Sequence, residues 1–325
     1  MSHLVSVIVP IYNSEDTIRS CVDNIINQTY TNIEILLVVE SKCTDSSLDV
    51  ARSVASEHEN ITVLIHTNND RMSGGRNDGL KASKGDIICF IDADDYQYPN
   101  YLQEMIEIMD RTDSDIVFCN HYQTFTHDIP EVPEKDYKVI EYDDHSIVSQ
   151  FTSVPVYPWS RIQKRWIFDS GEAYFYNHPI LEDVEQAIRS MVIANKVCFY
   201  TKPLCIYYKH EGSVSYKRHR ADAESMESTA RRMIPFVKEK LPDRYPEFRK
   251  DMTERVMRQI AYSGYKLYKP IYKDSIAHRL IKEMPNRTFE MKVFEFSGLL
   301  YYMLMYPFTH WIWNSKKGLW APVSD

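Results

Sequence analysis

Residues 85–95 read GDIICFIDADD, an apolar run that ends in three carboxylates. The run Ile87–Ile91 is short and apolar, which predicts a buried strand. Asp92, Asp94 and Asp95 follow that strand directly. Carboxylates this close raise one another's pKa and destabilise the fold unless a cation neutralises them. The stretch therefore raises the question of which cation the acidic trio binds.

A divalent cation is the usual partner of such a group. An Asp-x-Asp pair on an extended backbone directs both side chains the same way, and hard oxygen ligands suit Mg²⁺ or Mn²⁺. These ions keep open coordination positions that phosphate oxygens can take, so the pattern indicates a metal–diphosphate site. The alternative is a solvated acidic turn, because short motifs of this kind also occur by chance.

The residues on both sides of this strand alternate between strand and helix patterns. Further strands are predicted at Leu4–Ile11, Ile33–Val39, Ile61–Ile65 and Asp115–Cys119. Helices are predicted to begin at Ser14, Thr44–Asp45, Ser73 and Pro99. Because the strands are mostly continuous apolar runs, helices are expected on both faces, which favours a mostly parallel, doubly wound, Rossmann-like α/β sheet. Ligands bind such sheets at the carboxyl ends of the strands.

The rest of the chain is less regular. Residues 121–150 are acidic and contain several prolines, and they are predicted to form a loop. A helix is predicted over Glu182–Ala194, and short strands over Val197–Tyr200 and Cys205–Tyr208. Residues 221–268 have a helical pattern with one apolar face, formed by Met226, Ala230, Met233, Ile234 and Val237. The sequence thus predicts an α/β domain over residues 1–220 and a helical C-terminal region over residues 221–325.

Composition excludes some classes of function. The chain has 325 residues, of which 44% are apolar and 26% charged, as in ordinary globular proteins. Its net charge of -8 argues against a broad nucleic-acid-binding surface. Six cysteines form no Cys-x-x-Cys pair, which favours reduced thiols. The N-terminus has no signal-peptide pattern, so a cytoplasmic location is expected.

The segment Phe296–Trp313 contains no Asp, Glu, Lys or Arg and is crowded with Tyr and Trp. It is short for a membrane span, and Pro307 interrupts it. Four interpretations stay open: a C-terminal packing helix, contact with the membrane interface, contact with another subunit, or a membrane span, which the length and Pro307 disfavour. The second predicts peripheral attachment at the inner face of the cell membrane, and the third predicts a homo-oligomer formed through the C-terminal helices.

Five separated motifs occur in a specific order: VSVIVPIYN (5–13), ESKCTDSS (40–47), GGRNDGL (74–80), GDIICFIDADD (85–95) and PILEDVEQAI (179–188). In this combination, residues 4 to about 216 resemble family 2 of the glycosyltransferases, which has the GT-A fold. The resemblance implies transfer of a sugar, with inversion, from a nucleoside diphosphate (UDP in the first instance) to a hydroxyl of a glycan or lipid-linked acceptor. It also implies Mn²⁺ or Mg²⁺ as cofactor.

The resemblance assigns roles to individual residues on the donor side. The residues implied in nucleotide-sugar binding are Pro10, Tyr12, Asn13, Glu40, Arg76, Asn77, Asp92, Ala93 and Asp94. Of these, Asp92 is implied to bind ribose and Asp94 to bind the metal. Glu40 stands where the family usually has an Asp that contacts uracil, and Lys42 replaces a glycine of the same stretch. This departure leaves the base contact and the base identity open.

On the acceptor side, the resemblance implies Asp183 as the general base, with Glu182 as the second candidate. Taken alone, a carboxylate at this position is more often an N-terminal helix stabiliser. Trp159 either stacks on an acceptor sugar or packs in the core. His210 is either a third metal ligand or diphosphate contact, or a structural histidine.

Two other classes of function are weighed against this one. A nucleotidyltransferase usually needs a glycine-rich, basic loop after the first strand, and residues 10–17 read PIYNSEDT instead. A non-catalytic nucleotide-sugar binder would not need both the acidic trio and Asp183. The GGRN motif is not a Walker or dinucleotide-binding fingerprint, so P-loop and NAD chemistry are not supported.

Overall fold

The structure is a computed structural model of the chain. It describes residues 2–68, 70–126, 129–177, 181–208, 220–262, 275–297, 300–301 and 303–305. The chain divides into two compact units, residues 1–178 with 182–213, and residues 179–181 with 214–325.

The first unit is built on one mixed β-sheet. Its strands within the described residues are β1 (Val5–Ile11), β2 (Ile33–Glu40), β3 (Ile61–His66), β4 (Ile87–Phe90), β5 (Tyr96–Gln97), β6 (Ile116–Thr124), β7 (Val139–Tyr142), β8 (Arg161–Lys164) and β9 (Val197–Tyr208). Their order is β3-β2-β1-β4-β8-β6-β9-β5, and β7 also pairs with β9. Strands β1 to β4 pair in parallel, as do β6 and β9. The predicted α/β class with a doubly wound sheet is confirmed.

Helices cover both faces of this sheet. They are α1 (Ile18–Ile26), α2 (Ser47–Ala55), α3 (Arg71–Ala82), α4 (Tyr101–Thr112) and α5 (Glu182–Ile193). Apolar residues of α1, α2 and α4 form one buried cluster with alternate residues of β1 and β2. On the other face α3 lies so close to β1 that a Cβ at Gly79 would stand 2.4 Å from Cγ2 of Ile8. Only glycine allows this approach, which fixes the position of α3 over the sheet.

Several predicted boundaries are wrong. Helix α1 begins at Ile18, because Ser14–Thr17 form a turn in which the carbonyl of Ser14 accepts the N–H of Thr17 at 3.0 Å. Residues 121–150 are not a plain loop, since they contain the end of β6, strand β7 and a 3₁₀ helix over Ser146–Ser153. The two short strands predicted before Tyr208 are one strand, β9, whose pairing with β6 shifts register at Asn120. That bulge explains the interrupted apolar pattern.

Strand β8 is absent from the sequence-based prediction. It has only four residues, RIQK, and it lies antiparallel between β4 and β6. Arg161 and Gln163 are polar but fully buried, so the strand does not have the apolar pattern of its neighbours. The chain reaches it through a 3₁₀ helix over Pro158–Ser160.

The second unit is helical where it is described. Its helices are α6 (Arg220–Lys240), α7 (Tyr245–Tyr262), α8 (Ile276–Lys282) and α9 (Phe289–Phe296). The five predicted apolar positions of α6, from Met226 to Val237, are buried. The helical pattern over residues 221–268 is broken after Lys240, because Pro242 disfavours helical backbone before it. None of the helices in the described residues has the length and apolar character that a membrane span requires.

Candidate active site

The loops that follow β1 and β2 are tied together by side-chain hydrogen bonds. Asn13 has a positive φ of 48°, and its Oδ1 accepts the N–H of Thr44 at 2.8 Å. Ser14 donates its N–H to Oγ of Ser47 at 2.8 Å. The side chain of Asn13 therefore orders the loop, while the neighbouring Tyr12 is 52% exposed and available to a ligand.

Glu40 ends β2 and is buried. Burial raises the pKa of its carboxyl group. Its Oε1 accepts no hydrogen bond within the described part of the chain. A Cβ at Gly75 would lie 3.9 Å from this oxygen and 4.0 Å from Cβ of Pro10. Glu40, Gly75 and the buried Pro10 therefore lie side by side at the carboxyl ends of β1 and β2.

The sequence analysis missed His66, which pairs with Glu40 across the parallel strands β2 and β3. Its ring is fully buried, with Nε2 2.6 Å from Oδ1 of Asp70 and Nδ1 2.7 Å from Oδ2 of Asp78. Burial lowers the pKa of His66, but the two carboxylates more than offset this and the net pKa is raised. Gly74 permits this cluster, because a Cβ there would lie 2.1 Å from Oδ1 of Asp70. The predicted strand Ile61–Ile65 stopped one residue short of His66, and no pattern in the sequence indicated its two carboxylate partners.

Arg76, on α3, joins two acidic segments that are far apart in the sequence. Its guanidinium donates to Asp92 Oδ1 and to Glu182 Oε1, both at 2.8 Å. The group is buried and lies 5.3 Å from the centre of the Phe175 ring. Burial lowers the pKa of Arg76, but the charges of Asp92 and Glu182 raise it further, so it stays protonated. The bridge brings the acidic trio and the Glu182-Asp183 pair into one site.

Asn77 follows Arg76 and positions Phe175. Its Nδ2 donates to the carbonyl of Phe175 at 2.8 Å, and its Oδ1 accepts the N–H of the same residue at 2.9 Å. Because the amide makes both hydrogen bonds to this backbone, Asn77 holds the Phe175 segment in place in this structure. A direct contact of Asn77 with the diphosphate stays a prediction.

The three aspartates after β4 differ in environment. Asp92 has a side chain 23% exposed and is paired with Arg76, whereas Asp94 is exposed. Asp95 is buried, and burial, followed by the charges of Asp92 and Asp94, raises its pKa well above the ordinary value. Its Oδ1 has no hydrogen-bond partner among the described residues. Three carboxylates therefore concentrate negative charge at this turn, where Arg76 pairs with Asp92.

Asp183 lies in the first turn of α5 beside Glu182. Burial and the charge of Glu182 raise its pKa to about 6, against the opposing effect of Arg76, the backbone N–H of Val184 and Arg161. Oδ1 accepts that N–H at 2.8 Å. Leu181, immediately before this turn, has a φ of 65°, which is uncommon for a bulky residue and redirects the chain at the start of α5. A carboxyl group with this pKa is ionised at neutral pH and can accept a proton.

The remaining two predicted residues have different outcomes. Trp159 is only 2% exposed, with Tyr157 stacked on it at 4.8 Å and His121 against it at 5.1 Å. This burial favours core packing over contact with a sugar. Tyr157 is 36% exposed, which makes it the accessible ring of the group. His210 lies outside the described residues, so its assignment as a metal ligand stays a prediction.

The described residues contain no cluster of three or more His, Cys, Asp or Glu that could enclose a metal ion. Mg²⁺ and similar ions, however, are usually bound by one or two carboxylates together with substrate phosphates. The crowded carboxylates of the acidic trio and the exposed position of Asp94 fit that mode. The donor set therefore suits a cation that arrives with a diphosphate.

Fold and site together define a GT-A type protein, in which a doubly wound sheet presents an acidic turn and a second pair of carboxylates at one site. The profile of the family described as Glycosyl transferase family 2 matches residues 6–180, more than half of the chain. The chain belongs to this family and is a glycosyltransferase.

Similar proteins agree with this assignment. The glycosyltransferase GlyG of Streptococcus pneumoniae serotype 4 is 29% identical over 224 residues, which cover 66% of this chain and 73% of GlyG. The structure of TarS from S. aureus in complex with UDP superimposes with a TM-score of 0.66 at 20% identity, covering 96% of this chain and 87% of that one. A mannosyltransferase from Pyrobaculum calidifontis, in complex with GDP-Man and Mn²⁺, has a TM-score of 0.54 at 14% identity, covering 94% and 87% of the two chains. These structural matches establish the fold.

Proposed function

We propose that this protein is an inverting transferase that moves a sugar from a UDP-sugar to a hydroxyl of a glycan or lipid-linked acceptor. The observation that carries the proposal is the Arg76 bridge, which links Asp92 of the acidic turn to Glu182 beside Asp183. Asp92, which would bind the donor, and Glu182, next to the proposed base, thereby contact the same guanidinium within one unit of the fold. A nucleotide-sugar binder without catalysis would have no need for the second carboxylate pair.

The transfer reaction requires one general base. The acceptor hydroxyl oxygen forms a bond to the anomeric carbon, and the bond from that carbon to the β-phosphate oxygen breaks. The diphosphate leaves with the electron pair, and Asp183 takes the proton of the hydroxyl. A base in this role works best with a pKa near the working pH, and Asp183, at about 6, meets that condition.

On the donor side, the nucleobase of the nucleotide-sugar would bind between Tyr12 and Glu40, near Pro10. Asp92 would accept hydrogen bonds from ribose hydroxyls, and Asp94 would bind Mn²⁺ or Mg²⁺ together with the diphosphate. The bound ion would supply positive charge to the departing diphosphate. Arg76 and Asn77 would position the turn of Asp92 and Asp94 and the loop of Phe175. Asn13 would position the loop next to the nucleobase.

UDP is the preferred nucleotide in this proposal. TarS is described in complex with UDP and with UDP-GlcNAc, the latter at a TM-score of 0.61. The Pyrobaculum enzyme, described with GDP-Man, is the less similar of the two. The likeness to TarS supports a uridine nucleotide. Because Glu40 replaces the usual Asp, the affinities for UDP and GDP should be compared first.

The acceptor side and the C-terminal region complete the proposal. Tyr157, with its exposed ring, would contact the acceptor in place of the buried Trp159. Phe289, Phe296 and Met303 of the second unit are 75%, 86% and 55% exposed. These side chains, at and before the aromatic segment 296–313, would attach the protein to the inner face of the cell membrane. Sedimentation with lipid vesicles would detect that attachment.

Calorimetry of nucleotide binding tests the donor site. The wild type is expected to bind UDP more tightly than GDP, and to bind UDP at least tenfold more tightly with Mn²⁺ than without it. Asp94→Asn is expected to lose the Mn²⁺ dependence. The matched control is Asp49→Asn, which removes the same charge from an exposed position on α2 and should behave as the wild type. Equal Mn²⁺ dependence in the wild type and Asp94→Asn would overturn the donor assignment.

A further inference from the structure

A fully buried arginine lies beneath the helix that carries the base. Arg161 is on β8, and its side chain is 0% exposed. No carboxylate is among its hydrogen-bond acceptors in the described residues. Its NH1 donates to the carbonyls of Val156 and Tyr157, and its NH2 donates to Oε1 of Gln186. A buried cation without an ion-pair partner is costly to the fold, so its presence calls for an explanation.

The hydrogen bonds of Arg161 connect the parts of the site that must keep a fixed spacing. Gln186 lies one helical turn after Asp183 on α5, and its Nε2 donates to the carbonyl of Ala173 at 3.2 Å. Ala173 belongs to the segment that also contains Phe175, against which Arg76 packs. On its other side, Arg161 fixes the backbone of Tyr157. Arg161 thus joins α5 to the Tyr157 loop, and Gln186 extends the connection to the Phe175 segment.

Arg161 also acts on the base by its charge. Burial lowers the pKa of Arg161 to about 9, and the opposing charge of Asp183 raises it. The guanidinium is therefore positive throughout the range in which Asp183 titrates. The charged groups that act on Asp183 are Glu182, which raises its pKa, and Arg76 and Arg161, which lower it. Arg76 already has two carboxylate partners, whereas Arg161 has neutral ones.

We propose that Arg161 is the positioning residue of the catalytic base: its hydrogen bonds hold α5 through Gln186 and the neighbouring loop through the backbone of Val156 and Tyr157, and its positive charge favours the carboxylate form of Asp183. The inference rests on the proposed function, in which Asp183 accepts the acceptor's proton. It explains why a buried strand contains an arginine. The two arginines of the site then have different roles: Arg76 joins the two acidic segments, and Arg161 positions Asp183.

The test is the dependence of kcat on pH, measured by UDP release from the full chain with the donor and acceptor that it turns over. The wild type should lose activity below about pH 6, following the pKa of Asp183. This loss forms the acidic limb of the pH profile. Arg161→Gln should move that limb upward by roughly one unit or more, because an adjacent positive charge is removed. Arg161→Lys should restore the limb toward pH 6. KM for the donor should change little in either variant.

A second variant leaves Arg161 in place, so it tests the proposal even where Arg161→Gln does not fold. Gln186→Glu keeps Arg161 and gives it a carboxylate acceptor, but it loses the amide's hydrogen bonds to the carbonyl of Ala173 and Oγ of Ser190. The folded variant should also move the limb upward. The control is Arg165→Gln, which removes an arginine directly after β8 whose acceptors are also neutral, the carbonyl of Gly85 and Oγ of Ser83. Arg165 is not among the groups that shift the pKa of Asp183, so the limb should stay in place.

An unmoved limb in Gln186→Glu and in folded Arg161→Gln would refute the role of Arg161. If Asp183→Asn is as active as the wild type, the proposed function itself fails, so the two failures are distinguishable.

Discussion

The two acidic clusters of the site differ in how their charge is balanced. The turn after β4 has three carboxylates, of which Asp92 pairs with Arg76. The start of α5 has two carboxylates, Glu182 and Asp183, and two arginines act on them. The first cluster leaves Asp95 with a strongly raised pKa. The second leaves the pKa of Asp183 at about 6.

This difference indicates how each cluster is used. A turn that crowds three carboxylates and exposes one of them can bind a cation from outside, as a metal–diphosphate site requires. A carboxylate pair balanced by the protein's own arginines needs no external cation and can exchange a proton instead. Arg76 belongs to both clusters, so its removal should affect both at once.

Removal of Arg76 is the largest change that this comparison predicts. Arg76→Met leaves Asp92 and Glu182 partly buried without their cation, and breaking a buried ion pair in this way costs about 3–5 kcal/mol. Denaturant unfolding should show that loss. The exposed pair Arg19–Glu57, with both side chains about half exposed, gives the control: Arg19→Met should cost far less, because exposed ion pairs contribute little to stability. Similar losses in the two variants would mean that Arg76 does not balance the clusters.

The next prediction concerns the stability of the second cluster. The pKa of Asp183 rises from 3.8 to about 6 on folding, so the folded state binds this proton more tightly and is stabilised at low pH. That stability is lost as the pH rises from about 4 to 6. Asp183→Asn should therefore be more stable than the wild type above pH 6, by about 1–3 kcal/mol. Thermal unfolding at pH 4.5 and 7.5 measures this, and a difference independent of pH would contradict it.

The smallest effect separates the clusters by their response to metal. Mn²⁺ at ten times its dissociation constant should raise the free energy of unfolding by about 1.4 kcal/mol. Asp94→Asn should abolish that increase, whereas Glu182→Gln should retain it. If Glu182→Gln also abolishes the increase, the ion binds between the clusters and not at the acidic turn.

The sequence predicted those parts of the site that have a local pattern. Asp92 and Asp94 follow an apolar strand, and Asp183 opens an amphipathic helix, so spacing and resemblance were enough to single them out. The parallel strands were equally clear, because Ile33–Val39 and Ile87–Ile91 are continuous apolar runs.

His66 and Arg161 were missed for a physical reason. Each is a charged or titratable residue buried in a strand, and burial is decided by partners that are distant in the sequence. Asp78 lies 12 residues from His66, and Gln186 lies 25 residues from Arg161. The same holds for Trp159, whose neighbours His121 and Tyr207 come from β6 and β9.

The central claim is that Asp183 accepts the proton of the acceptor while the acidic turn binds the donor. Asp183→Asn tests it most directly, by measuring UDP release with saturating acceptor and UDP affinity on the same preparation. The account predicts that the rate falls at least about 100-fold, while the dissociation constant for UDP with Mn²⁺ stays within about threefold of the wild type. A variant that releases UDP at the wild-type rate would contradict it.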